Sequence, residues 1–238
     1  MIRGQKLTAI VPVRGGSKGI PGKNLSRLGK DTLLERTIKL AKNSEYVDRV
    51  LVSTDNEEMF AIAKNYGVAM KNLRPAELAT DTAKTVDVVK QAIAAENIDE
   101  GYILLLQVTS PLRISADLQA LCNGFDNADP TQVEAIVSLV EHDSPHPDKI
   151  QKIDDGYVRS YLGKESMVAR QQLPKVYSLN GAFYLTHRNI LLEKSTFMPP
   201  KTIPYVMPPE RSLNLDTKMD MFLLEMLVEK GRIEIEEL

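Results

Sequence analysis

Ile10-Val11-Pro12-Val13-Arg14-Gly15-Gly16-Ser17-Lys18-Gly19-Ile20-Pro21-Gly22-Lys23-Asn24 decides how this chain is read. Its first residues close an apolar run, Leu7 to Val13, that reads as the opening strand of a parallel sheet. The run then stops in a loop with four glycines and three cations, Arg14, Lys18 and Lys23. Glycines let backbone turn sharply and approach a ligand closely. Successive backbone N–H groups in such a loop form a nest for anions, and fixed cations add what a polyphosphate needs. A nucleotide site is expected at this strand end. Two familiar phosphate loops are excluded. A Walker A loop has four residues between its glycines and then Lys-Ser or Lys-Thr; here five residues separate Gly16 from Gly22, and Asn24 follows Lys23. The dinucleotide pattern Gly-x-Gly-x-x-Gly is also missing.

Working outward, strand and helix signals alternate through the first part of the chain. Asp31-Thr32 can cap a helix with Leu33, Leu34, Ile38 and Ala41 at helical spacing. Val47–Thr54 reads as a second strand, Asn56 caps a helix carrying Met59, Ile62 and Ala63, and Val68–Met70 reads as a short strand. Thr82 to Ala95 is helical, Tyr102–Val108 a buried central strand stopped by Pro111, Asp117–Phe125 a helix and Val133–Val140 a strand. This alternation predicts a doubly wound, mostly parallel α/β sheet over a single domain, residues 1–238. The rhythm breaks at 142–178, where Pro145, Pro147 and Pro174 flank weak strand signals at Lys149–Ile153 and Tyr157–Leu162. That stretch reads as an inserted hairpin that pairs with another subunit, because an apolar strand edge needs a partner. Asn180–Thr186 and Ser212–Asp216 read as late strands, and Thr217–Lys230 as a closing helix.

Composition narrows the class. The chain has 238 residues, 43% hydrophobic and 26% charged, which suits one large globular α/β domain. A net charge of -2 argues against broad nucleic-acid or membrane-surface binding. One cysteine, Cys122, cannot make an intrachain disulfide, so a reducing compartment is expected. The polar N-terminus does not read as a signal peptide, and no apolar run reaches membrane-spanning length, which together predict a cytoplasmic protein. His142, His146 and His187 lack metal-ligand spacing and read as structural.

In an open parallel sheet, ligands sit beyond the carboxyl ends of the strands. Polar groups follow each strand end here: the cationic loop, Ser53-Thr54-Asp55, the segment around Arg74, Gln107 to Arg113, then Asn180 and Tyr184, then Asn214 and Asp216. On a strand, Asn214 and Asp216 share a face. Asp216 has two readings, a helix cap before Thr217 or a Mg²⁺ ligand acting with substrate phosphates. Arg74, Lys149 and Arg170 also read as solvated surface charges, and Tyr184 as a core residue with its hydroxyl at the edge.

The run RGGSKGIPGKN, the segments VSTD, LRPAELATDT, LLQVTSPLR, RQQLP and NGAFY, and the closing SLNLDT occur in the order found in acylneuraminate cytidylyltransferases, a family this chain resembles over nearly its whole length. Relatives that activate Kdo carry a different first loop and fit less well. The resemblance implies attack of the anomeric hydroxyl of a 2-keto sugar acid on the α-phosphate of CTP, with pyrophosphate leaving and no protein nucleophile. It implies that Arg14 and Lys23 act on the triphosphate, that Gly15, Gly16, Ser17, Asn24, Arg74 and Thr85 bind the nucleotide, and that Asp216 binds Mg²⁺ and helps deprotonate the hydroxyl. By the same resemblance Gln107, Lys149, Arg170, Asn180 and Tyr184 hold the sugar acid; a homodimer built partly from residues 142–178 is expected from the inserted hairpin. Where the family often has two aspartates this chain has Asn214 and Asp216, which puts a two-metal arrangement in question. The rival readings are the same chemistry on legionaminic, pseudaminic or Kdo-type acids, and a non-catalytic nucleotide-binding homologue.

Overall fold

Leu7–Pro12 forms β1, buried along almost its whole length because it lies inside a sheet covered on both faces. The computed structural model describes residues 1–16, 19–142, 144–163 and 168–231. After β1, the two-residue strands β2 (Arg27–Leu28) and β3 (Asp31–Thr32) make a small antiparallel clip that leads into α1 (Leu33–Lys42). Thr32 caps α1 through a capping box with Glu35, as the sequence signal predicts. Then follow β4 (Arg49–Ser53), α2 (Glu57–Asn65), α3 (Thr85–Ala95), β5 (Tyr102–Leu105), α4 (Ser115–Asp126) and β6 (Ala135–His142). The hairpin β7 (Gln151–Asp154) and β8 (Tyr157–Ser160) precedes β9 (Val176–His187), α5 (Arg188–Lys194), β10 (Thr202–Met207) and α6 (Lys218–Glu229).

Six strands form the central sheet in the order β10-β6-β9-β5-β1-β4. β9 is antiparallel to both its neighbours, and the other pairs are parallel, so one reversed strand sits in an otherwise parallel sheet. Two buried clusters flank it. One takes Leu33, Leu34 and Ile38 of α1 with Leu118, Leu121 and Phe125 of α4. The other takes Val89, Ala92 and Ile93 of α3 with Leu191 of α5. Helices on both faces explain why β1 and β5 are apolar without alternation.

Several boundaries move for physical reasons. β5 stops at Leu105, three residues before the predicted Val108, as the chain turns off the sheet to give Gln107 and Thr109 to the cleft. Val68–Met70 makes a single bridge, Val52 to Ala69, rather than a strand. Ser212–Asp216 is irregular chain and not the expected strand: Leu215 donates one backbone bond to Thr109 O at 2.8 Å, and no ladder forms along the segment. β10 and α5 are additions that the sequence pattern did not reveal.

β6 and β9 lose register between Val137 and Leu139, where Asn180 and Gly181 bulge out. The buried hydroxyl of Ser138 fills that gap, donating to Asn180 Oδ1 at 2.6 Å and accepting from the Phe183 N–H at 2.8 Å. Gly181 has φ 77°, and a Cβ there would stand 2.6 Å from Gln107 Oε1. Glycine is thus demanded twice at this position. Within the predicted 142–178 excursion, β7 and β8 meet at Asp155-Gly156, both at positive φ, the geometry of a two-residue hairpin turn. Ile153, Val158 and Tyr157 on this hairpin are 81%, 72% and 68% exposed, a marked apolar surface.

Ser138→Ala tests the bulge. It strips Asn180 and Phe183 of a buried partner and is expected to cost about 1–3 kcal/mol in urea unfolding; no loss would show that the bulge is held by backbone alone.

Candidate active site

The carboxyl ends of β1 and β5 open into a cleft of about 290 Å³. Arg14, Lys23, Asn24, Arg74, Thr85 and Gln107 all line it, six of the residues expected to bind nucleotide or substrate. The first loop is tied down at several points. Asn24, buried, donates to Arg14 O at 3.1 Å, and the Gly15 N–H donates to Asp55 Oδ1 at 3.0 Å. A Cβ on Gly15 would lie 3.0 Å from Asn56, and one on Gly19 would fall 2.2 Å from Asp216 O, so the loop packs directly on the distant segment. Gly16 faces open space. Ser17 lies outside the described residues, as does Lys18.

Lys23 joins the two halves. It is buried, and its ammonium donates to Leu215 O at 2.5 Å and stands 3.4 Å from Asp216 Oδ1. The Asp216 side chain is 64% exposed, so this ion pair is half in water and its strength is screened. The cap reading of Asp216 fails: Thr217 caps α6 through a box with Asp220, whose Oδ2 accepts the backbone N–H of Asp216 and of Thr217. The Asp216 carboxylate instead faces Lys23 and Asn214, accepting from Asn214 Nδ2 at 2.6 Å. Asn214 Oδ1 is buried without a donor. A buried orphan acceptor beside a carboxylate is a place where a hard cation or a donor group fits.

Arg74 has a framework duty as well as a place in the cleft. Its Nε donates to Ser53 Oγ at 3.1 Å and one Nη to Val13 O at 2.9 Å and to Ser53 O, tying the ends of β1 and β4 together. Burial pulls its pKa down to about 10, an effect that nearby Arg14 reinforces and Asp55 opposes. Arg14 pairs with Asp81 at 2.6 Å on the far lip of the cleft. Thr85 begins α3, whose N-cap, Lys84, makes no side-chain cap, so the positive end of this helix is presented at the cleft wall.

The other expected sugar-binding residues are not gathered there. Asn180 is buried in the bulge, with Oδ1 accepting from Ser138 and Nδ2 donating to Ser212 Oγ at 3.0 Å. Tyr184 packs in the second core cluster edge-on to Phe197, 6.0 Å between ring centres, and burial pushes its phenol pKa up. Lys149 sits in the excursion, donating to Val168 O at 2.7 Å. The Arg170 side chain lies outside the described residues, while its backbone forms a short turn, Arg170–Gln172. The histidines hold structure, His146 and His187 each accepting a backbone N–H as a cap. Sequence reasoning assigned no role to Asp81, Gly19, Asp55 or the buried Arg113, which donates to Gln107 O at 2.6 Å and Ala182 O at 3.0 Å and so fixes the loop bearing Gln107. Burial alone brings the Arg113 pKa down to about 9. LLQVTSPLR already contained this arginine, but nothing in the pattern distinguishes a framework guanidinium from a ligand-binding one.

A strand-end cleft with a glycine-rich cationic loop, whose Lys23 meets a carboxylate brought from the other end of the chain, fits a nucleotidyl-transfer type of site. The sequence pattern of the cytidylyltransferase family matches residues 8–217, and the chain belongs to that family. It is 33% identical over 218 residues to an N-acylneuraminate cytidylyltransferase of Escherichia coli, covering 92% of this chain and 51% of that protein. The chain thus spans about half the length of the first curated relatives it matches. A CMP-N,N'-diacetyllegionaminic acid synthase of Legionella pneumophila is 29% identical over 230 residues, covering 94% of this chain and 97% of that one. A CMP:2-keto-3-deoxy-manno-octonic acid synthetase solved with CTP shares the fold, with a TM-score of 0.67 at 14% identity over 95% of this chain and 99% of its own.

Arg74→Lys tests the tie between β1 and β4. A lysine cannot reach Val13 O, Ser53 Oγ and Ser53 O together, so a loss of about 1–3 kcal/mol in urea unfolding is expected. Unchanged stability would make Arg74 a ligand group only.

Proposed function

We propose that this chain transfers CMP from CTP to the anomeric hydroxyl of a nine-carbon 2-keto sugar acid, an N-acylneuraminate, and releases pyrophosphate. The observation that carries the reading is Lys23, which links the phosphate-type loop to the Leu215–Asp216 segment at 2.5 Å and 3.4 Å. Arg14, Lys23 and the Gly16 N–H hold the triphosphate, with Gly15 and Ser17 in the same loop, the Gly15 N–H being taken by Asp55. Asn24, Arg74 and Thr85 contact the nucleoside. Gln107 meets the sugar acid at the cleft floor, and Asn180 supports it from behind by holding the bulge. In this reading Lys149, Arg170 and Tyr184 reach the acid only if it extends beyond the cleft lined here.

The bond that forms joins the sugar's anomeric oxygen to the α-phosphorus, and the bond that breaks joins that phosphorus to the oxygen bridging to the β-phosphate. Asp216 takes the hydroxyl proton, and Lys23 and Arg14 neutralise the charge that gathers on pyrophosphate as it leaves. Asn214 and Asp216 supply oxygen donors that suit Mg²⁺, and the orphan Asn214 Oδ1 supports that fit. Among the described residues no three His, Cys, Asp or Glu side chains converge as a metal site, so the rest of the shell comes from phosphate oxygens and water. When bound, the ion adds positive charge against the phosphates and lowers the cost of deprotonating the acceptor.

We place a homodimer and a cytoplasmic setting within the same reading. The exposed apolar hairpin supports the first. The second is supported by the single cysteine; among the described residues no helix is long and apolar enough to cross a membrane. A second acceptor, a legionaminic-type acid, is favoured by the near end-to-end match to the Legionella relative.

The assay is pyrophosphate release from each of the four nucleoside triphosphates with Mg²⁺ and a panel of 2-keto sugar acids. Activity with CTP alone among them is expected. Lys23→Met should lower kcat/KM by about 100-fold or more while circular dichroism stays native. Wild-type turnover in that variant would remove Lys23 from the triphosphate role.

A further inference from the structure

We propose that Asp117 and Arg211, away from the cleft, are positioning residues that set Asp216 against Lys23 and so govern the metal response and turnover of the site rather than its hold on nucleotide. The proposal rests on the cytidylyl-transfer reading for its turnover and metal arms, and not for the placement of the Leu215–Asp216 segment.

Asp117 lies on α4 and is 1% exposed. Its carboxylate is loaded on both oxygens. Arg211 Nε donates to Oδ2 and Nη2 to Oδ1, each at 2.8 Å. The Tyr205 hydroxyl donates to Oδ1 at 3.1 Å and the Ile114 N–H to Oδ2 at 3.0 Å. Capping α4 needs only the Ile114 contact. The forked pair with Arg211 adds something a cap does not, a fixed distance and plane for the arginine's backbone.

That backbone leads straight to the site. Arg211 closes a short turn, Pro209–Arg211, and the chain then runs to Asp216 without strand pairing. It is pinned instead at separate points. Ser212 Oγ donates to Pro208 O at 2.9 Å and accepts from Asn180 Nδ2 at 3.0 Å. Leu215, fully buried, donates its N–H to Thr109 O at 2.8 Å and offers its carbonyl to Lys23. The downstream end is fixed by Asp220 through the Asp216 N–H at 3.0 Å. The Arg211 fork is the charged anchor at the upstream end. Release of the upstream anchor leaves Leu215 and Asp216 positioned by the remaining bonds alone, and a displacement of about 1 Å at a reacting group costs on the order of 100-fold in rate. The nucleotide-gripping residues Arg14, Asn24, Arg74 and Thr85 lie on other elements and do not depend on this anchor.

A buried ion pair is also a stability element, and losing one partner leaves a charge stranded. The experiment separates the two roles with Arg211→Met, and with Asp117→Asn/Arg211→Met, which removes both charges and keeps an acceptor for Ile114. Four quantities are measured in wild type and variants: melting temperature, metal-free CTP affinity by calorimetry, Mn²⁺ affinity by electron paramagnetic resonance with CTP present, and kcat. Hydrogen exchange at the Leu215 amide gives a fifth.

The double variant is expected to melt close to wild type, within about 3 °C, and to bind CTP without metal normally. It should bind Mn²⁺ about 10-fold more weakly, turn over about 100-fold more slowly, and exchange its Leu215 amide faster. Recovery of kcat and Mn²⁺ affinity together with the melting temperature would reduce the pair to a structural prop and overturn the proposal. An equal fall in metal-free CTP affinity would overturn it too. If the double variant does not fold, Arg211→Lys keeps the charge but loses the fork; the same split is expected, and wild-type kcat there would contradict it. If wild type releases no pyrophosphate with any acid, the transfer reading fails, while exchange at the Leu215 amide still decides whether the anchor positions the Leu215–Asp216 segment.

Discussion

One buried ammonium holds the site together. Lys23 comes from the first loop, and its acceptors, Leu215 O and Asp216 Oδ1, lie 192 and 193 residues further along the chain. The loop lies against the Asp216 backbone so closely that Gly19 has no room for a side chain. A glycine-rich cationic loop and a carboxylate could each form separately at a sheet edge. Their junction sets a loop cation that lines the cleft beside the oxygens of the Leu215–Asp216 segment, a charge arrangement of the kind phosphoryl-type transfer needs. At the same junction Asn214 Nδ2 donates to Asp216 Oδ2, which ties the carboxylate to the segment that Lys23 holds.

The sheet serves that junction. The reversed strand β9 and its bulge bring Gly181 up to Gln107, and the absence of a Cβ at Gly181 leaves the space that the Gln107 side chain occupies. Ser138 and Arg113 then freeze both sides of the bulge, one by filling the register gap and the other by bonding Gln107 O and Ala182 O. Arg113 has neutral oxygens as its hydrogen-bond acceptors, and its lowered pKa records the desolvation this entails. Such a group is tolerated where several acceptors surround it, and it fixes the floor of the cleft more rigidly than an apolar residue of the same size.

Much of this was legible in the sequence. Apolar runs at Leu7–Val13 and Tyr102–Val108 marked strands covered on both faces, and Thr32 and Asn56 announced α1 and α2 because capping is local chemistry. The glycine-cation loop marked the strand end that carries the cleft, and six expected residues meet there. What was not legible depends on contacts between distant segments. Alternation at Ser212–Asp216 suggested a strand, yet the segment has no ladder and is pinned by Leu215, Arg211 and Lys23. Asn180 looks the same in sequence whether it faces a sugar or fills a bulge; only Ser138 and Ser212 decide that. β10 hid behind Pro204, and its pairing with β6 lies at a sheet edge, where proline is tolerated.

The most direct measurement is a crystal structure of the protein with CTP. The account requires the triphosphate to lie along the first loop, with Lys23 Nζ and the Gly16 amide in hydrogen-bond reach of phosphate oxygens and the α-phosphate turned toward Asp216. A nucleotide bound elsewhere, or bound here with its phosphates pointing away from Lys23 and Asp216, would contradict it.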